Sequence, residues 1–245
     1  MFQNLGEMML LFWRTLLALP LTWRQREKVA DQLFEIGNAS LLMVCVLSFF
    51  IGGVLSLQTG PVLVERGLHS YVGGLVGVSV ARELAPIMMA ILIAGRIGSA
   101  MAAEIGSMQV YQEIDALRTM NINPTHYLVL PRLVAIACAL PMLVVFSIFV
   151  GWLGGGVVAA VTGQIDISFQ AFFADIRTGV ELKDVANGVF KSFWFAWIVG
   201  IVSCHQGLTT IGGPRGIGRS VTKAVVNSIV LIIIFDFVLT RILLD

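Results

Sequence analysis

The sequence predicts an all-α integral membrane protein, and three observations support this fold class. Of its 245 residues, 57% are hydrophobic and only 13% are charged, whereas soluble domains carry about 25% charged residues. Five apolar stretches each reach the length of about 20 residues that a transmembrane helix needs. None of the five alternates with the period of two that marks a membrane β-strand. We therefore expect an amphipathic helix followed by five transmembrane helices.

The first segment, residues 1–37, is predicted to hold an amphipathic helix in the membrane interface and a lead-in to the first span. Arg14 interrupts its apolar residues, Pro20 breaks them, and Trp13 and Trp23 flank them. This arrangement is typical of an interfacial helix. An additional spanning segment is the alternative. The stretch lacks the positive amino-terminal region and the small-residue cleavage site of a signal peptide.

The remaining residues, 38–245, are predicted to form one transmembrane domain. Its spans are predicted at about 39–64, 71–100, 133–163, 188–211 and 224–243. With a cytoplasmic amino terminus, ten Lys and Arg residues lie on the cytoplasmic side and four lie outside, which satisfies the positive-inside rule. The carboxyl terminus and the segment 164–187 are then external.

Four ionisable residues are predicted within the spans, where each costs at least about 2.5–3.5 kcal/mol to insert: Arg82, Glu83, Lys191 and Asp236. Counted from Tyr71, Arg82 and Glu83 lie roughly 17 Å along the second span. They are candidates either for substrate contact or for buried pairing that fixes the helix packing. Lys191 lies near an outer end, where it snorkels or pairs with Asp236. Asp236 is assigned to structural pairing with Lys191 or Arg82.

Small residues are concentrated in the segments 73–77, 94–106 and 151–156. Their spacing permits close helix contact in a lipid environment. Packing within the subunit is the simpler interpretation, and a homodimer seam is the alternative.

Several classes of function are disfavoured by the motifs. Residues 213–220 resemble a phosphate-binding loop, but Arg219 replaces the lysine and membrane spans flank the segment. The three cysteines share no metal-ligating spacing, and no nucleophile-and-base set stands out. A net charge of +1 gives no field that would attract nucleic acid. We therefore expect no enzymatic activity and no metal in this chain.

The most informative stretch outside the spans is the cytoplasmic segment 101–132. Residues 112–120 are predicted to form a short helix, and Val110, Ile114 and Leu117 share one face. Such an apolar stripe suits a groove on a soluble partner. A helix that lies on lipid is the alternative.

Several blocks of this sequence resemble those of MlaE-type permeases, the membrane subunits of ABC transporters that move lipids between the two membranes of diderm bacteria. The blocks start with Arg82-Glu-Leu-Ala-Pro86 and continue at 94–108, 113–124, 131–132 and 235–240. Their order and spacing cover the chain from about residue 30 to its end, which makes them far more specific than hydropathy.

The resemblance implies a homodimeric permease in the bacterial inner membrane, with an interfacial helix and five spans per subunit. It implies a dimer of ATPase subunits, an MCE-domain protein that forms a periplasmic lipid tunnel, and in some systems a STAS-domain protein. ATP and magnesium would be bound by the ATPase, so no cofactor is expected in this chain. The implied function is phospholipid transport that maintains outer-membrane lipid asymmetry.

The resemblance also implies roles for individual residues. The segment 104–123 would be a coupling helix seated in the ATPase, with contacts from Glu104, Glu113, Ile114, Asp115, Leu117, Met120 and Pro124. A phospholipid cavity would open outward between the two subunits, lined by Leu55, Gln58, Val62 and Leu63 with Glu83 and Arg82 beneath.

Two other functions are open at the level of the sequence. An ion-coupled secondary transporter of a hydrophobic substrate would use Arg82, Glu83 and Asp236 as a relay, although five spans do not divide into inverted repeats. A non-transporting membrane scaffold for an MCE protein is the other.

Overall fold

Long apolar helices dominate the structure, a computed structural model that describes residues 2–18, 20, 25–163, 165 and 167–244. No strand occurs among these residues, which confirms the all-α class. The helices are α1 (Phe2–Ala18), α2 (Arg26–Glu65), α3 (His69–Val110), α4 (Glu113–Thr119), α5 (Thr125–Val161), α6 (Phe169–Gly179), α7 (Leu182–Leu208) and α8 (Gly213–Leu244). Five of them, α2, α3, α5, α7 and α8, are long and apolar enough to cross a membrane. The chain is therefore a multi-pass membrane protein with the five predicted spans.

The spanning helices extend beyond the apolar stretches of the sequence. The first span begins at Arg26, so residues 26–37 belong to it as well as to the predicted lead-in. The last span begins at Gly213, so the glycine-rich residues 213–220 form its first helical turns and not a loop. The chain enters this helix closely packed, because a Cβ on Gly216 would lie 2.1 Å from the carbonyl oxygen of Ile211. Hydropathy locates only the apolar centre of a helix, since charged ends continue the same hydrogen-bond ladder.

The amino-terminal helix α1 packs on α7 through one face. The rings of Phe12 and Trp197 meet edge to face at 5.5 Å, and Glu7 Oε2 lies 3.1 Å from His205 Nε2. With 17 residues, α1 is shorter than the about 20 residues that a span needs. Its place in the membrane interface stays a prediction, and Trp23 and Arg24 lie outside the described residues.

The chain divides into two compact units. The first comprises Met1–Asn38, Ala90–Leu140 and Phe193–Asp245, and the second comprises Ala39–Met89 and Pro141–Ser192. In the first unit, a Cβ on Gly207 would lie 2.7 Å from the Ile105 side chain, and one on Gly98 would lie 3.1 Å from Val199. These glycines let α7 approach the second half of α3.

The second unit holds the tightest helix contacts. A Cβ on Gly52 would lie 1.9 Å from the carbonyl oxygen of Gly151, and one on Gly154 would lie 2.0 Å from that of Phe49. The backbones of α2 and α5 therefore touch, which only glycine permits at these positions. The same holds for Gly73, whose Cβ would lie 2.3 Å from the Phe172 carbonyl oxygen of α6. The predicted packing of small residues within the subunit is confirmed at these contacts.

Candidate functional site: a charged cluster between α3 and α7

The centre of α3 departs from regular α-helix where its charged residues lie. Residues Val80–Leu84 form a π-helical segment, and the N–H of Ala85 bonds the carbonyl of Val80. Pro86 follows directly and has no N–H to offer the carbonyl of Arg82, four residues earlier. That carbonyl instead accepts a hydrogen bond from Lys191 Nζ at 3.3 Å. The proline thus exposes a backbone acceptor, and α7 supplies the missing donor.

Arg82 is paired with an aspartate that the sequence analysis did not single out. Its Nε lies 2.6 Å from Asp184 Oδ1. The other oxygen of Asp184 accepts the N–H of Glu181 at 2.9 Å, while the N–H of Asp184 bonds the carbonyl of Glu181 at 3.0 Å. Asp184 therefore caps the start of α7 and neutralises Arg82 at once. It is 1% exposed.

Glu83 is paired with Lys191. Lys191 Nζ lies 2.8 Å from Oε1 and 2.9 Å from Oε2 of Glu83. The Lys191 side chain is 2% exposed, so it does not snorkel to an outer surface. Glu83 was not the predicted partner of Lys191, which was grouped with Asp236; that grouping stays a prediction. Asp236 lies half-buried on α8, in the first unit.

The two ion pairs have the same asymmetry. The Asp184 side chain is 2% exposed and that of Lys191 is 2% exposed, but Arg82 is 38% exposed and Glu83 is 37% exposed. The buried partners thus neutralise two charges that stay accessible on α3. A neighbouring cation and anion of this kind match the phosphate and ammonium groups of a zwitterionic molecule. Arg82 and Glu83 could bind such a molecule, since the charge of each is balanced by its own partner, Asp184 or Lys191.

A single glycine sets the distance between α3 and α7 at this cluster. Gly188 lies between Asp184 and Lys191 on one face of α7, and its Cβ would lie 2.2 Å from the carbonyl oxygen of Ala81. The two helices are therefore in backbone contact one residue before Arg82. Because the helices lie this close, the side chains of both ion pairs come within hydrogen-bond distance.

The first residues of α3, which precede the cluster, pack on α6. A Cβ on Gly77 would lie 3.1 Å from the Ile176 side chain of α6. Arg82 then meets Asp184 in the first turn of α7, whose start is Leu182. The cluster therefore begins at the first turn of α7, and the expected position of roughly 17 Å along the second span stays a prediction.

The residues predicted to line a cavity on α2 differ in exposure. Gln58 and Val62 are exposed, Val62 by 49%, and Leu55 and Leu63 are half-buried. The small residues of α2 that pack on α5, such as Gly52, lie away from Gln58. The four predicted residues are therefore available to a lipid or to a second subunit, and no contact in the described chain covers them fully.

The cytoplasmic helix α4 forms at Glu113–Thr119, which confirms the predicted short helix. Its ends are set by left-handed residues, since Gln112 and Asn121 both have φ of 61°. Ile114 is 0% exposed, so it anchors α4 to its own chain and is not presented to a partner, contrary to the expectation from its apolar face. Leu117 is half-buried on the same side.

The accessible surface of this segment consists of other residues. Met120 and Tyr111 are each 68% exposed, and Glu113 and Asp115 are exposed as well. Tyr111 was not predicted, because it precedes the helix expected at residues 112–120.

Two predicted coupling residues have contacts within the chain. Glu104 Oε2 accepts Arg132 Nη2 at 2.9 Å. Pro124 is half-buried and precedes the π-helical start of α5 at Thr125. The pair of Glu104 and Arg132 therefore joins α3 to α5, the two helices that flank α4 in the chain.

No group of three or more His, Cys, Asp or Glu side chains in the described part of the chain is arranged to hold a metal ion. The charged cluster mixes cations with carboxylates, so it does not offer an all-oxygen cation site.

Comparison with known proteins points to one family. The family model described as Permease MlaE matches residues 29–242. A probable ABC transporter permease of Synechocystis sp. is 38% identical over 215 residues, which cover 88% of this chain and 81% of the relative. One from Rickettsia typhi is 36% identical over 215 residues, with 88% and 82% covered. The chloroplastic protein TRIGALACTOSYLDIACYLGLYCEROL 1 of Arabidopsis thaliana is 36% identical over 219 residues, with 89% and 61% covered.

Proposed function

This chain belongs to the MlaE permease family, and from that premise we propose that it carries phospholipid between the inner membrane and a periplasmic tunnel formed by an MCE-domain protein. As an ABC transporter permease it works with an ATPase. The finer parts of the proposal are a homodimer, a lipid substrate, a cytoplasmic amino terminus, a periplasmic carboxyl terminus and, in some assemblies, a STAS-domain protein.

The observation that carries the proposal is the accessible charge on α3. Arg82 and Glu83 are more than a third exposed, yet each is held by a partner that is 2% exposed. In a purely structural ion pair within a membrane, both side chains would normally be buried in the interior of the protein. A permease that must accept a charged head group needs such charges to be reachable and already neutralised.

The apolar part of a phospholipid finds a surface on α2. Besides Val62, the exposed apolar side chains of this helix include Phe50 at 64%, Val54 at 49% and Leu57 at 45%. Burial of an acyl chain contributes about 0.8 kcal/mol per CH₂ group. In the proposed homodimer, this face and its copy would enclose the chains. The galactolipid in the name of the Arabidopsis relative supports a lipid substrate.

Transport requires that the affinity for lipid differ between two states of the permease, because a ligand shifts an equilibrium only by its differential binding. We propose that ATP binding in the partner ATPase acts through α4, whose exposed residues face away from the chain, and narrows the lipid site. ATP and magnesium would reside in that ATPase. The relatives named as ABC transporter permeases favour this mechanism over an ion-coupled transporter and over a passive scaffold.

The test is transfer of fluorescent phospholipid from vesicles containing the permease and its ATPase to the purified tunnel protein. We expect transfer to require ATP and to stop when the ATPase is inhibited. ATP-independent transfer driven by a pH gradient would establish the ion-coupled alternative. Assembly with the tunnel protein but no transfer under any condition would establish the scaffold.

Substitution of Met120 tests the coupling role of α4. Because Met120 is 68% exposed, Met120→Asp is expected to change stability by no more than about 0.5 kcal/mol. It is also expected to abolish ATP-driven lipid transfer, since a charge would replace an apolar contact with the ATPase. Lipid transfer and thermal unfolding are measured on the same preparation.

The matched comparison is Ile114→Ala in the same helix. Ile114 is 0% exposed, so this variant is expected to lose about 2–5 kcal/mol of stability. Normal transfer by Met120→Asp in a fully assembled complex would remove α4 from the coupling path.

A further inference from the structure

A cavity of about 690 Å³ lies in the second unit, at the start of α3 and beside α6. Its volume is within the range of about 300–1,000 Å³ that is typical of ligand sites. It is lined by hydroxyl-bearing residues, by two glycines, by two aliphatic residues and by one carboxylate: Ser70, Tyr71, Ser79, Thr178, Gly74, Gly179, Leu75, Val78 and Asp175. It is separate from the ion pairs of Arg82 and Glu83, which do not line it.

The carboxylate of Asp175 is incompletely satisfied. Its Oδ2 oxygen is buried without a hydrogen-bond partner among the described residues. Burial raises the pKa of Asp175 above its usual 3.8, and the backbone amide of Gly73 acts against this rise. An unsatisfied buried acceptor is costly, and a carboxyl group rotates readily about its last bond. A cationic donor in the cavity would therefore relieve the cost.

The rest of the lining indicates where that donor comes from. Among the described residues that line the cavity, Asp175 is the one charged side chain, and no lining cation there offers a counter-charge to an anionic head group. Tyr71 is 63% exposed and Leu75 is 43% exposed at the start of a span, a position where amphipathic aromatic rings lie at the head-group level of a bilayer. The site thus combines a carboxylate with an apolar wall at the membrane boundary.

We propose that this cavity binds the head group of a phospholipid that carries a primary ammonium, with Asp175 as the acceptor and Leu75 and Val78 against the upper acyl chain. The inference rests on the proposed lipid-transport function and adds a second head-group site, with a preference of its own, to the one proposed at Arg82 and Glu83. A quaternary ammonium has no N–H to donate, and a glycerol head group has no positive charge. The site therefore discriminates phosphatidylethanolamine from both phosphatidylcholine and phosphatidylglycerol.

The experiment uses the purified full-length chain, extracted from nanodiscs that contain phosphatidylethanolamine with an equal amount of either competitor. Retained lipids are quantified by mass spectrometry. The wild-type chain is expected to be enriched in phosphatidylethanolamine, and Asp175→Asn is expected to lower the enrichment about tenfold, as the loss of a charge-assisted hydrogen bond predicts. Glu181→Gln, which removes an exposed carboxylate that does not line the cavity, is expected to leave it unchanged.

Folding of the variant is not expected to limit the test. Because the pKa of Asp175 is raised in the folded state, that state binds the proton more tightly than the unfolded state does. The ionised group therefore costs stability at neutral pH. This cost decreases as the pH falls through the raised pKa and is gone below the unfolded-state value near 3.8. A neutral asparagine removes this cost, so Asp175→Asn should unfold at a temperature no lower than that of the wild type.

Three results would overturn the proposal. The first is equal phosphatidylethanolamine enrichment in wild type and Asp175→Asn, or no enrichment in either. The second is displacement of the lipid by an equal concentration of free ethanolamine, which would make the site one for a soluble amine. The third is loss of a copurifying protein with an unchanged lipid ratio, which would assign Asp175 to a protein contact. ATP-driven transfer is measured separately, so failure of transport and failure of this site are distinguishable.

Discussion

Glu83→Ala is expected to destabilise the chain by about 2–3 kcal/mol. The variant leaves the ammonium group of Lys191, whose side chain is 2% exposed, without its carboxylate. Breaking a fully buried pair typically costs about 3–5 kcal/mol, and the expected loss is smaller because Glu83 is 37% exposed. The midpoint of thermal unfolding in detergent measures this loss.

The double variant Glu83→Ala/Lys191→Met separates packing from substrate binding. It removes both charges and fills the space of Lys191 with an apolar side chain, so its stability is expected to exceed that of Glu83→Ala. It is expected to stay below that of the wild type, because the Arg82 carbonyl loses the donor that Lys191 supplies. The amount of copurified phospholipid is expected to stay low, because the accessible carboxylate is gone. Wild-type stability of the single variant, or full lipid retention by the double variant, would show that this pair does not have the role assigned to it.

Gly188→Ala is expected to separate α7 from α3 and to disrupt both ion pairs with one methyl group. The new Cβ would lie 2.2 Å from the carbonyl oxygen of Ala81, and backbone atoms cannot move aside as a flexible side chain does. Overpacking of this kind costs about 1–3 kcal/mol. This overpacking cost is expected to exceed the stabilisation of up to about 1 kcal/mol that alanine gives over glycine inside a helix. Loss of stability and loss of lipid transfer are expected together.

Gly37→Ala is the matched control for this substitution. Gly37 lies within α2, and a Cβ there meets no atom of the described chain within 4 Å. The variant is expected to be as stable as the wild type or slightly more stable, and to transport normally. If Gly188→Ala behaved like Gly37→Ala in thermal unfolding and lipid transfer, the contact between α3 and α7 would not control the ion pairs.

Three members of the charged cluster, Arg82, Glu83 and Lys191, could be identified from the sequence, and the fourth, Asp184, could not. Arg82 and Glu83 stand out because charges within an apolar stretch are costly, and this cost is a property of the local sequence. Asp184 does not stand out, because the apolar stretch of the fourth span begins only at residue 188 and places Asp184 in an external loop. Asp184 lies three residues after Glu181, the spacing of a helix-capping box, and a hydropathy profile does not detect this pattern.

Long-range pairing was the part that could not be derived from the sequence. Lys191 is more than one hundred residues from Glu83, and no local pattern tells which helix faces which. Gly188 allows the two helices to approach, but a glycine adds no charge or apolar side chain by which a sequence pattern could reveal this contact. Gly188 lies three residues before Lys191 and four after Asp184, so the three residues share one face of the helix. This spacing does not indicate that α3 is the helix that packs on that face.

The cytoplasmic helix shows the same limit. Periodicity correctly predicted a short helix and an apolar face at Ile114 and Leu117. Periodicity does not distinguish a face that packs on its own chain from a face that docks on a partner. The burial of Ile114 resolves that ambiguity and moves the expected contact to exposed residues such as Met120.

Identification of what copurifies with the intact chain tests the central claim most directly. The tagged protein would be extracted gently from its native host, and its associated proteins and lipids identified by mass spectrometry. We predict an ATPase, an MCE-domain protein and stoichiometric phospholipid. A chain that carries neither ATPase nor lipid, under conditions that keep other ABC transporters intact, would contradict an ATP-driven lipid permease.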